Sequence, residues 1–158
     1  MTVLQLEKFT PQVLDSIDAA RRQAEKLGRS VVGAEDLFFG LMYYPRSTAP
    51  HGVVIVMKEV FNKTRYDIDQ AIRKLTDRPL VVCDSDEQLT QGAALALELA
   101  AQQTPDGVAA NRLAVMAGLV DSEDETFLRV IESLRIDPAK LKLVMRNSRA
   151  WTDHVAKS

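Results

Sequence analysis

From Thr10 to Gly28 the chain reads TPQVLDSIDAARRQAEKLG, and its apolar positions are spaced as on a helix. Val13, Ile17, Ala20, Ala24 and Leu27 recur at intervals of three and four, while Asp15, Asp18, Arg22, Glu25 and Lys26 fall mostly elsewhere. Thr10 is the predicted N-cap, Pro11 the first helical residue and Gly28 the stop. GAEDLFFGLMYY reads as a second, shorter helix, with Gly33 near its cap. Glu35 and Asp36 occupy its first turn, where the helix dipole favours acid. YPRSTAPHG breaks it, and further helices are expected over 53–62 and 67–75 before DRPLVVCDSD separates this half from the rest.

The second half opens with Ser85 and Gln88 in capping-box spacing, leading into the Ala/Leu-rich helix LTQGAALALELAAQQ, which TPDG ends. VAANRLAVMAGLV, an acidic turn, TFLRVIESL and DPAKLKLVM follow, and Asp137 with Pro138 repeats the cap-then-proline start. The halves match segment by segment. LEKFTPQVLDSIDAARRQA pairs with DEQLTQGAALALELAAQ, VGAEDLFFGL with VAANRLAVMAGL, and VIVMKEVFNKTRYDIDQAI with RVIESLRIDPAKLKLV. A period of about 76 to 80 residues exceeds that of the common solenoid repeats and indicates a duplicated four-helix unit. The expected fold is all-α, with about eight helices in two pseudo-symmetric four-helix repeats and essentially no sheet.

Composition narrows the classes of function. The 158 residues, 46% of them hydrophobic, make one domain with a real core that needs neither disulfides nor a metal. Twenty basic against 22 acidic side chains leave a net charge of -2, so no electrostatic footprint for nucleic acid or an anionic membrane is expected. Cys83, the single cysteine, cannot form an internal disulfide and is read as a small buried hydrophobe. The sequence shows no apolar run of about 18 residues, and no signal peptide is expected. The reading is a soluble cytoplasmic protein, and a mature protein of the plastid stroma would look the same.

The order FTP, LG, VGAEDLFFGLM, VMKEVF resembles the N-terminal domain of Clp-type AAA+ unfoldases, and RVIESLRIDPAKL resembles that domain's second half. The likeness spans about 6–145. It sets a single Clp-N-like domain over 1–148, with repeats at about 8–78 and 85–147, and a tail from 149 to 158. It implies a non-enzymatic adaptor and substrate-docking module. Because the chain ends at Ser158 without ATPase modules, the nearer likeness is to stand-alone proteins of this kind, such as ClpT-type accessory subunits or free-standing relatives of the ClpC N-domain. The implied partners are a Clp unfoldase, the Clp protease core, or their adaptors and substrates. The alternative is the N-terminal docking domain of a larger Clp chaperone.

Two glycines five apart in GRSVVGAE suggest a phosphate loop, but Ala34 and Glu35 stand where a Walker A motif needs Lys and Ser or Thr. A carboxylate there repels phosphate, so the stretch is read as a helix-loop-helix connection. The Clp-N resemblance gives Glu35 another role, as receptor for the guanidinium of a phosphoarginine-bearing protein, a charge-assisted and bidentate pairing. Ala34 replaces the usual Thr, and the counterpart of Glu35 in the second repeat is taken as Asn111, followed by Arg112. Both helix starts are also read as capping sites. Phe38 and Met42 are expected in the core, while Tyr43 and Tyr44 are divided between core and docking surface. The partner-binding set is therefore Glu35, Asp36, Tyr43, Tyr44, Asn111 and Arg112.

No catalytic residue, cofactor site or metal site is expected. His51 and His154 are isolated, and neither a nucleophile elbow nor a metalloprotease motif occurs. Trp151, the only tryptophan, is read either as a docking anchor or as the cover of an apolar groove. A different class, a helical transcription regulator, would use ANRLAVMAGL as its recognition helix, against the lack of basic excess.

Overall fold

The same local chemistry sets helix boundaries in both halves of the chain. The computed structural model describes residues 6–29, 31–43, 52–75 and 89–155, the last stretch without the side chains of 146 and 148–155. Tyr44, His51, Cys83 and the box at Ser85 lie outside the described residues, as do the side chains of Trp151 and His154. Among the described residues a 3-10 turn at Leu6–Lys8 precedes eight α-helices. In the first repeat they are α1 (Pro11–Lys26), α2 (Ala34–Leu41), α3 (Gly52–Phe61) and α4 (Arg65–Leu75). The second repeat supplies α5 (Gln91–Gln103), α6 (Arg112–Ser122), α7 (Glu125–Ser133) and α8 (Pro138–Val155).

Thr10 caps α1 by accepting from the backbone N–H of Val13 at 3.3 Å, and Pro11 takes the first helical position. Thr90 repeats the arrangement for α5, accepting from Ala93 at 3.2 Å. The cap of α5 is thus Thr90 rather than the Ser85 box, because the extended backbone of Thr90 (φ -68°, ψ 163°) turns its hydroxyl onto the first turn. Gly28 ends α1 at φ +77°, a conformation that costs glycine least. Asn62 (φ 55°) and Arg135 (φ 60°) play matching parts in the α3–α4 and α7–α8 turns.

Close helix approaches confirm the duplication. A Cβ on Gly40 would collide with the carbonyl of Ser16 on α1, and one on Gly118 would collide with the carbonyl of Ala96 on α5. Gly118 lies 78 positions after Gly40 and Ala96 lies 80 after Ser16, so the two contacts are copies of one another. Two isolated parallel bridges then tie the repeats together, Phe9 with Ala110 and Val32 with Leu89. Their hydrogen bonds run from Thr10 N to Ala110 O (3.0 Å) and from Thr90 N to Val32 O (2.8 Å).

α2 and α6 form the centre, buried around most of their circumference. Phe38 and Met42 are fully buried, as expected. Phe38 meets Phe127 of α7 edge to face, with centroids 5.4 Å apart. Such a pair adds about 0.5–1.5 kcal/mol beyond its buried area and here joins the repeats. One hydrophobic core runs through both. α8 is continuous from Pro138 to Val155, so the tail boundary set at 149 falls inside a helix.

Candidate docking site

The start of α2 is a buried charge cluster. Asp36 accepts from the backbone N–H of Gly33 at 2.9 Å, one half of a capping box, and has no exposed surface. Glu35 is 5% exposed and folds back over Gly33, where a Cβ would run into its carboxylate. Arg29, in the loop leaving α1, closes the cluster: one guanidinium nitrogen pairs with Glu35 and the other with Asp36. One cation thus serves two carboxylates. Burial first, and the neighbouring Glu35 charge second, push Asp36 up to about 7, against the opposing pull of Arg29. The guanidinium that Glu35 was expected to receive from a ligand is present within the chain, and an incoming arginine would compete with Arg29.

The start of α6 is built differently. Asn111 is its N-cap and accepts from Ala114 N at 2.9 Å. By the cap positions and the Gly40 and Gly118 contacts, Asn111 corresponds to Gly33, and the counterpart of Glu35 is Leu113, a buried core residue. The pairing of Glu35 with Asn111 read from the sequence is therefore two residues out of register. Letter similarity pairs Glu35 with Asn111, whereas the geometry pairs the caps Gly33 and Asn111. Arg112 reaches back from the second repeat to Ser16 of α1, donating from Nε to the hydroxyl at 3.2 Å, and burial lowers its pKa. Leu113 to Val120 are all buried, so ANRLAVMAGL has no free face to enter a DNA groove, and the recognition-helix reading is overturned.

Tyr43 follows α2 and stands between two guanidinium groups, Arg22 at 5.6 Å and Arg65 at 5.7 Å from its ring centroid. Beside it opens a cleft of about 490 Å³ between the end of α2 and the α3–α4 turn. Phe39, Met42 and Val54 line it together with Lys58, Lys63 and Arg65. None of these three cations falls on a periodic stripe of the sequence. Lys58 sits on an apolar-rich helix and the other two flank a turn, so no periodicity draws them together. Among the described residues, no group of three or more His, Cys, Asp or Glu side chains is placed to hold a metal ion, and no helix is long and apolar enough to cross a membrane.

No protein-family model matches the sequence, and comparison with the curated proteins gives no match. Solved structures do match. The N-terminal domain of the caseinolytic protease associated chaperone ClpD from Arabidopsis thaliana aligns with TM-score 0.70 and 17% identity, over 93% of this chain and 97% of that one. The chain has the Clp N-terminal fold. The Hsp104 N-terminal domain from Candida albicans aligns with TM-score 0.66 and 15% identity, over 90% of this chain and 91% of that one. A structure from a study of a malarial protein secretion system gives 0.61 and 12%, over 89% and 93%. Within the Clp N-terminal fold, this chain carries its carboxylate pair at one helix start only, since the second repeat places Leu113 and Ala114 there.

Proposed function

We propose that the protein is a non-enzymatic docking module serving a Clp-type AAA+ chaperone in the cytoplasm or a plastid stroma, where it engages an unfoldase, its protease core, or their adaptors and substrates. The observation that carries this reading is the fold match over 93% of the chain to a chaperone N-terminal domain. Two forms of the module are consistent with such a fold, a separate accessory subunit and the N-terminal domain of a longer chaperone. The mass of the native polypeptide on an immunoblot separates them.

The test is crosslinking of the tagged protein in its own cells, followed by purification and mass spectrometry. Clp ATPase or protease subunits should be enriched over a tagged helical control of similar charge. Clp subunits at background level in that experiment would remove the reading.

A further inference from the structure

We propose that the cleft between α2 and the α3–α4 turn binds an acidic peptide segment carrying one large apolar side chain. This deepens the docking-module reading by naming a surface and the chemistry it takes. Phe39 and Val54, both half-buried, and the fully buried Met42 supply apolar lining, and Lys58, Lys63 and Arg65 supply cations, in a chain whose net charge is -2. None of the three cations is ion-paired among the described residues. The one carboxylate lining the cleft, Asp69, is already engaged: it accepts from Gln23 Nε2 at 2.6 Å and pairs with Arg73 at 3.0 Å. Lys63 also feels the neighbouring Asp67 carboxylate and Arg65 lies over the Tyr43 ring, yet cations outnumber carboxylates around the apolar floor, which complements an acidic segment with a hydrophobic anchor.

The second repeat shows that the turn does not require cations at the positions of Lys63 and Arg65. Its equivalent turn also passes through a left-handed residue, Arg135 matching Asn62, and starts the next helix from Asp137 where the first repeat uses Thr64. In that copy Ile136 takes the place of Lys63 and Pro138 the place of Arg65, and Ile136 is buried. One turn design thus appears twice, with its cations at different positions: the copy beside the cleft carries Lys63 and Arg65 where the other has Ile136 and Pro138, and the other carries Arg135 where this one has Asn62. The turn itself is held firmly. Asp67 accepts from the backbone N–H of Thr64 at 2.8 Å and from its hydroxyl at 3.0 Å, which fixes the backbone between Lys63 and Arg65.

Fluorescence anisotropy on the full chain tests the proposal, with a labelled peptide of about eight residues made of Asp and Ser around a central Phe. Controls replace Asp by Lys, or Phe by Ala. Saturable binding of the acidic Phe peptide is expected, weakened about tenfold or more by the double variant Lys58→Glu with Arg65→Glu and several-fold by salt. Both side chains are exposed, and an unchanged melting curve shows that the variant is folded. The proposal is overturned by absence of binding at millimolar protein, by equal binding of the Lys control, or by indifference to charge reversal. Stronger binding of a single-stranded oligonucleotide than of the peptide would overturn it too. Crosslinking the double variant in cells separates the two ideas: Clp subunits recovered without peptide binding leave the general reading standing alone, and peptide binding without Clp subunits does the reverse.

Discussion

At Asp36 one guanidinium faces two carboxylates, so one negative charge is in excess and burial keeps it protonated. The folded state holds that proton up to about pH 7, whereas the unfolded chain releases it near 3.8. Stability is therefore expected to fall as pH rises through that window. Asp36→Asn keeps an acceptor for Gly33 and removes the titration. In urea unfolding, its stability relative to the wild type should improve from about pH 4.5 to about 7.5. Other titrating groups cancel in the difference, and a constant offset would show that Asp36 does not titrate there. The same cluster predicts that calorimetry with free phosphoarginine gives no heat for the wild-type protein at millimolar ligand, because Arg29 occupies Glu35. Heat in the wild type would show that Arg29 yields. The sequence placed Glu35 and Asp36 in a first turn but did not reveal Arg29, whose contact crosses a loop and leaves no periodic trace.

Helix starts and stops were the most legible part of the chain, since Thr10, Pro11 and Gly28 act on backbone groups within a few residues of themselves. The matching of α2 with α6 was not, because it depends on how deeply each helix is seated on its neighbour. Gly40 and Gly118 set that depth. Each touches a backbone carbonyl that no rotamer change can remove, so Gly40→Ala and Gly118→Ala should each cost about 1–3 kcal/mol. Thermal denaturation checks this. Equal losses in the two variants would reflect the shared geometry, and a neutral substitution at either site would mean that the helices slide apart freely. The apolar character of GAEDLFFGL was equally readable, but whether it meant burial or a docking face was decided only by the helices packed around it.

The whole molecule should unfold as one unit. Phe38 packs on Phe127, the core is shared, and both bridges cross between repeats, so neither half buries its own apolar face. A single transition by circular dichroism is expected for the full chain, and no cooperative transition for residues 1–80 alone. A folded, cooperative half would contradict the shared core. The bridges carry a further consequence. Phe9 precedes the first helix of its repeat and pairs with Ala110, which precedes the second helix of the other; Leu89 and Val32 repeat the contact with the roles exchanged. Such reciprocity is the mark of an isologous interface, in which one patch meets itself across a twofold axis. The chain therefore has the form of a homodimer of four-helix subunits fused into one polypeptide. In such a chain the two halves are not bound to be identical, and the carboxylate pair at the start of α2 has no counterpart at the start of α6.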